Sequence, residues 1–319
     1  MAVNVYRSTD AGAPVLTGQA GTMVTVLDAC LINGYGSKSA AGWGKPYSST
    51  NIGVYRAASG NRLYLRVDDT AAQEARIVGY EAMTTASPSS SVGSFPLPAQ
   101  VSGGLFVRKS DTSDAVVRAW VLIASDKFFY FLPYSGASDP AQSTSPFSMS
   151  GQMAFGEFLS YKPGDTFNTI IISGALTGAN AGALGINTRT AGFAAGPGHF
   201  VARNHLQFGN SITVCKTAIL DPTTTTTLFG VSGNHPPFPD SVLGGINVSP
   251  IVVGETGHNG SYVTRGVLPG LWAPMHNSPM SHYDIVVGSG NLADKSLQMH
   301  FTSNGSSFSR LLFEISDTW

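Results

Sequence analysis

Charge is what this chain has least of. Only 12% of its 319 residues are Asp, Glu, Lys or Arg, with a formal net charge of -1, against roughly 25% charged residues in an ordinary soluble domain. No basic face is on offer to nucleic acid or to anionic lipid, whose recognition needs clustered Lys and Arg. Cysteine is scarcer still. Cys30 and Cys215 lie far apart, outside any CxxC spacing, so they cannot build a disulfide framework or a tetrahedral zinc site by themselves. Two free, buried thiols are the expectation. No apolar run approaches the roughly 18 residues that span a bilayer, and "MAVNVYRSTD" lacks a basic segment followed by an apolar one. These features predict a soluble protein made in the cytoplasm, with no membrane among its partners. The nucleophile elbow GxSxG, the phosphate loop GxxxxGK, the dinucleotide fingerprint GxGxxG and the zincin HExxH are all missing. So is any fixed-period repeat, which argues against solenoids, propellers and repetitive fibre stems.

What replaces charge is Gly, Ser, Thr, Ala and Asn, over a chain that is 42% hydrophobic and 10% aromatic. Such a chain can bury a large core. Its neutral surface can approach another subunit without stripping water from many ions. Period-two alternation recurs: in "NRLYLRVDD", Leu63, Leu65 and Val67 face one side, and Arg62, Tyr64, Arg66 and Asp68 the other. "AWVLIASDKFFYFLPY" sets the β-prone runs Ala119 to Ala124 and Phe128 to Leu132 around Ser125, Asp126 and Lys127, a hairpin spacing. Both runs are apolar on both faces, which places them inside a sandwich or beneath another sheet.

Further strands are expected in "ARIVGYEAM", "GLFVRKS", "TFNTIIIS", "HLQFGNSITVCKTAIL", "INVSPIVVGE", "SYVTRGVL", "YDIVVGS", "LQMHFTS" and "SRLLFEIS". One segment differs: in "TMVTVLDACLINGYG", Met23, Val26, Leu27, Cys30 and Leu31 keep helical spacing, with Thr22 as N-cap and Gly34 as stop. Its β-branched Val24, Thr25 and Val26 leave a strand as the alternative. The fold class is therefore all-β: antiparallel sandwich or barrel-like domains with at most one or two short helices. Proline, Ser and Thr clusters in "DPTTTTT" and "SGNHPPFPD" place a connection at 221–240. It separates a larger N-terminal β region, 1–220, from a smaller C-terminal β domain, 241–319. One continuous sandwich with long loops is the alternative.

Residues capable of chemistry are few and scattered. A metal site would draw on His276, His282 and Asp284 in "LWAPMHNSPMSHYDIVV", or on His199, His205 and His235. Neither spacing matches a metal-binding pattern. The first stretch reads better as a connection in which Trp272, Met275 and Met280 pack, His276 and His282 bond locally, and "HYDIVV" begins a strand. A glycosidase needs two facing carboxylates, for which Glu157, Glu255, Asp165 and Asp284 are conceivable, with no basis in sequence for pairing them. Asp68, Asp69, Asp111 and Asp114 read as turn residues at strand ends. No catalytic residue, metal or cofactor is assigned. Sugar stacking would use exposed aromatics among Trp43, Tyr47, Trp120 and Trp272, and Trp43 and Tyr47, in "AAGWGKPY", are the candidates for glycan or interface contact. Val3, Val5 and Tyr6 are the candidate residues of an assembly arm, Met1 to Leu16, which either adds to a neighbouring sheet or pairs within its own subunit.

The phrases "VYRSTDAGAPVLTGQAG", "INGYGSKSAAGWGKPY", "YRAASGNRLYLRVDD", "VSGGLFVRKS", "LPGLWAPMHNSP" and the ending "ISDTW" together resemble a family of virion structural proteins of tailed bacteriophages. The resemblance covers most of the chain and brings no catalytic residues with it. It implies a non-enzymatic particle component, synthesised in the host bacterial cytoplasm, present in many symmetric copies. Its partners would be copies of itself and other virion proteins, at the tail or baseplate, or alternatively as a neck or capsid-decoration protein. A receptor- or glycan-binding protein on the virion surface is the functional rival, and a polysaccharide depolymerase ranks below it.

Overall fold

A computed structural model describes residues 2–136, 138–139, 152–173, 198–217, 239, 242, 244–256, 262–275, 280–303, 308–316 and 318–319. Along the chain they form β1 (Asn4–Arg7), the helix α1 (Thr22–Leu27), β2 (Gly44–Ser49), β3 (Ile52–Arg56), β4 (Tyr64–Asp68), β5 (Glu74–Met83), β6 (Ser91–Phe95) and β7 (Leu105–Arg108). There follow β8 (Ala119–Ala124), β9 (Phe128–Tyr134), β10 (Met153–Glu157), β11 (Leu159–Ser160), β12 (Thr169–Ser173), β13 (His199–Arg203) and β14 (Gly209–Thr217). The last are β15 (Val248–Thr256), β16 (Tyr262–Pro274), β17 (Ile285–Val287), β18 (Ser296–Ser303) and β19 (Phe308–Glu314). The protein is all-β, every pairing is antiparallel, and the architecture is sandwich-like. Among the described residues no helix is long and apolar enough to cross a membrane.

The β8–β9 hairpin organises the molecule. It closes over the predicted Ser125, Asp126 and Lys127, where the Ser125 hydroxyl oxygen accepts the Lys127 and Phe128 N–H groups at 3.3 and 3.1 Å. Because side chains alternate along a strand, Trp120, Leu122, Phe129 and Phe131 point into one core. Val121, Ile123, Phe128, Tyr130 and Leu132 point into another. The first core lies beneath the small sheet β2-β3-β4-β5-β6, with β7 also on β5, and beneath α1. The second is closed by β15, β16 and β19, where the large sheet β1-β8-β9-β10-β12-β13-β14-β15-β16-β19-β18-β17 returns over itself. A strand apolar on both faces thus finds an apolar partner on both, each fully buried side chain contributing about 1.5–3 kcal/mol.

β4 keeps the predicted alternation, with Leu63, Leu65 and Val67 buried. Arg66, expected to face outward, is covered too, because its Nε donates to the Ala86 carbonyl and its Nη2 to Asp68, both at 2.9 Å. The helical reading of 22–34 holds, with all five predicted apolar positions buried. Its start is displaced: Gly21, at φ 83°, is the N-cap, and Thr22 is the first helical residue. Thr22 instead donates its hydroxyl to the Thr17 carbonyl at 3.0 Å. After Leu27 the backbone widens into a π-helical stretch, Asp28–Asn33. Gly34 N–H bonds the Ala29 carbonyl five residues back, and Gly34, at φ 75°, ends the helix as expected.

Of the two alternatives for Met1 to Leu16, pairing within its own chain is the one seen: β1 pairs with β8 from Asn4 opposite Ala124 to Arg7 opposite Val121. Tyr6 is buried with its hydroxyl donating to Ser39 O at 2.7 Å, and Val3 and Val5 pack against the second core. "LPGLWAP" is strand and not connection, because Leu268, Leu271 and Ala273 are needed by the second core. The strand expected to begin at His282 begins at Ile285, after a turn. The predicted connection at 221–240 lies outside the described residues except for 239. β14 before it pairs with β15 after it, Cys215 opposite Val253, so the strand order crosses that region without a break.

Trp43 is buried as well. It is no loop residue facing water: its ring meets Phe129 edge-on at 5.2 Å and its indole N–H donates to the Ser125 carbonyl at 2.8 Å, joining the small sheet to the central hairpin. Trp43→Phe removes that donor and is expected to cost about 1–3 kcal/mol in urea denaturation. A midpoint equal to wild type would mean that the bond contributes nothing. Tyr47 is half-buried and stacks on Tyr64 at 6.3 Å.

Candidate functional site

Among the described residues, a dense arrangement of buried charge lies where the chain leaves β10. After Glu157 it crosses to the other half of the large sheet, and β11 pairs with β16, Leu159 opposite Val267 and Ser160 opposite Gly266. The approach is close: a Cβ on Gly266 would sit 2.1 Å from the Leu159 carbonyl oxygen, so only glycine fits there. This crossing brings Asp165 over Arg265 of β16 and Glu255 of β15.

Arg265 is almost fully buried and grips Asp165 with two bonds, Nε to Oδ2 at 2.8 Å and Nη2 to Oδ1 at 2.9 Å. Its Nη1 donates to Glu255 and to the Arg203 carbonyl, the latter at 2.7 Å. Four of the five guanidinium N–H directions are thereby used. Ser160 donates its hydroxyl to Asp165 at 2.7 Å, and the Phe167 N–H adds a bond at 3.2 Å. Glu255 accepts the His205 backbone N–H at 2.7 Å, with the His205 Nδ1 at 3.1 Å. Burial alone would raise the Asp165 pKa, but the bonds from Arg265 and Ser160 outweigh it and hold the carboxyl below its usual range. Arg265 is driven the other way by burial, and its two carboxylates keep it above its ordinary value.

Sequence alone gave no means of pairing Glu157, Glu255, Asp165 and Asp284. The structure joins Asp165 and Glu255 on one guanidinium, places Glu157 beside Asp165 in a cleft, and leaves Asp284 in a distant turn accepting the Ser281 N–H at 2.7 Å. A carboxylate held ionised by a bidentate guanidinium is a poor general acid. Asp165 is therefore clamped by Arg265, and Glu255 accepts from the same guanidinium. The cleft is open to solvent, offers about 280 Å³ and is lined by Lys127, Glu157, Leu159, Ser160, Lys162 and Asn168, among others. Burial raises the Glu157 pKa, and the Asn61 backbone N–H opposes that rise.

The clamp also fixes a surface feature. Lys162 Nζ donates to the His205 carbonyl at 2.6 Å, tying the crossing segment to the turn between β13 and β14. That turn is closed by its own bonds: Asn204 Oδ1 accepts the Leu206 and Phe208 N–H groups, each at 3.0 Å, and Asn204 N–H reaches the Phe208 carbonyl at 2.9 Å. Gln207 takes φ 69° to complete it. At the tip Leu206 is 56% and Phe208 68% exposed, and Leu159 and Tyr161 are exposed on the segment tied to it. The strand expected from "HLQF" onward begins only at Gly209.

Among the described residues, the histidines considered for a metal site are not brought together. His276 and His235 lie outside the described residues. His282 packs on Tyr283 at 4.1 Å and on Tyr134 and His300 at 5.3 Å each. Burial pushes it down to about 4. His199 is buried at the start of β13 opposite Ile172, whereas His205 lies beyond the other end on Glu255. Among the described residues no group of three or more His, Cys, Asp or Glu is placed to hold a metal ion. Of the other tryptophans considered for stacking, Trp120 is buried with its N–H on the Pro14 carbonyl at 3.1 Å, and Trp272 is half-buried. Arg265, Lys162 and the Leu206–Phe208 tip were not singled out from sequence. The Asn that precedes exposed apolar residues in "RNHLQFGN" was the one signal available. Comparison with protein-family models gives no match, and comparison with curated proteins gives none either.

Proposed function

We propose that this chain is a structural component of a tailed-phage virion that works by oligomeric assembly, in the tail or baseplate, and catalyses no reaction. The observation that carries this reading is the ordered tip at Leu206 and Phe208. Single exposed apolar side chains are common on proteins. Here two of them are held on a turn locked by an Asx cap and by Lys162, beside exposed Leu159 and Tyr161. A surface already fixed before contact loses little conformational freedom on docking, which favours association. Scarce charge lowers the desolvation cost of such a contact. At the far edge of the large sheet, β17 presents exposed Ile285 and Val287, with no described strand on its outer side, a second place where subunits could join. The sequence resemblance to virion structural proteins supports the same assignment.

The test is a double substitution, Leu206→Ser with Phe208→Ser. Both side chains are exposed, so stability should stay within about 0.5 kcal/mol of wild type. Concentration-dependent oligomers in sedimentation velocity should weaken or disappear, and incorporation into particles should fall. Unchanged oligomers and normal incorporation would remove the tip from assembly, and a wild-type chain found outside mature particles would defeat the assignment itself. Cryo-electron microscopy of the intact particle distinguishes tail or baseplate from neck or capsid surface.

A further inference from the structure

We propose that the cleft beside the Arg265 clamp binds one neutral pyranose unit of a carbohydrate. The first ground is charge balance. Three cations, Lys127, Lys162 and Arg265, stand in or under the cleft against three carboxylates, Glu157, Asp165 and Glu255. Their formal charges cancel, so charge alone does not select an ion. A polyol suits such a lining, because each of its hydroxyls both donates and accepts. Ammonium groups supply donors, Glu157 supplies an acceptor, and the Asn168 amide supplies both.

The second ground is shape. About 280 Å³ lies just under the range of roughly 300–1,000 Å³ usual for small-molecule sites, which suits a single ring better than an oligomer. Leu159, at the wall, offers an apolar surface to the C–H face of a sugar.

The third is rigidity. Asn168 donates to the Phe158 carbonyl at 2.6 Å and accepts from Asn61, Glu157 accepts the Asn61 N–H, and Asp165 is held by Arg265. The polar groups are in place before any ligand arrives, as selective binding requires. The cleft shares Leu159 and Lys162 with the surroundings of the exposed tip, but neither Leu206 nor Phe208 lines it, so substitution of those two separates this proposal from assembly.

Saturation-transfer NMR on the full chain, with glucose, galactose, mannose and N-acetylglucosamine as probes, tests it. Transfer to at least one sugar is expected. Lys127→Ala and Leu159→Asp, both at partly exposed positions, should each weaken that binding about tenfold, with thermal unfolding confirming that the variants fold. If one of them fails to fold, the other decides. Leu206→Ser with Phe208→Ser should leave binding unchanged. Absence of transfer from all four sugars, transfer undiminished in the folded variants, or binding of acetate or inorganic phosphate in place of sugars would each overturn the proposal.

Discussion

Arg265→Met is expected to destabilise the protein by about 3–5 kcal/mol, the cost of stranding buried charge when its partner is removed. The substitution keeps much of the side chain's volume and its contact with the Phe158 ring, over which the guanidinium sits at 5.6 Å. What is lost is the counter-charge to Asp165 and Glu255, whose side chains are at most 2% exposed. The loss should depend on pH with a definite sign. In the folded protein Asp165 is held below the usual carboxylate range, whereas unfolded it titrates near roughly 3.9. A depressed carboxyl adds stability that is complete above the unfolded value and disappears as pH falls through the folded one. The gap between wild type and Arg265→Met should therefore be widest near neutrality and narrow below about pH 4. Urea denaturation of both proteins at neutral and acid pH measures it. A gap of constant size would show that Arg265 acts by packing and not by charge.

The parts of the fold that were legible in sequence are those in which one side-chain pattern has one solution. The β8–β9 hairpin turns where its residues suggest, because Ser125, Asp126 and Lys127 interrupt two runs that must be buried on both faces, although β9 runs on to Tyr134. Positions 22–34 were legible because five apolar residues at helical spacing outweigh local β-branching. What could not be read is what depends on residues distant in sequence. Trp43 sits among glycines, a loop signature, yet its indole finds an acceptor 82 residues away. Val3, Val5 and Tyr6 look the same whether their strand pairs within the chain or with a neighbour, and only the partner strand β8 decides. Asp165 and Glu255 carry no motif, because Arg265 lies 100 residues from the first. Their association is a product of the strand order.

Asp69 shows how far such a residue can move from its expected role, and it carries the second large effect. Read as a turn residue, it is instead fully buried, and its Oδ2 caps α1 from outside the helix by accepting the Met23 N–H at 2.8 Å and the Val24 N–H at 3.4 Å. Its other oxygen accepts from Lys109, itself fully buried, whose ammonium also donates to the Gln19 carbonyl at 2.7 Å and the Ala71 carbonyl at 3.3 Å. Burial raises Asp69 against the pull of Lys109, and burial lowers Lys109 against the pull of Asp69. Both shifts run against the charged forms, so their attraction does not fully offset desolvation. Two outcomes follow from that imbalance. Lys109→Met, which leaves the Asp69 carboxylate alone in the core, should cost about 3–5 kcal/mol. Adding Asp69→Asn removes the stranded charge while keeping an amide oxygen to accept the Met23 N–H, as Asn does at helix starts, and should recover most of the loss. A double-mutant cycle by denaturant unfolding reads the coupling directly. If the second substitution deepens the loss in place of relieving it, then the ionised carboxylate at the head of α1, and not its pairing with Lys109, is what the helix requires.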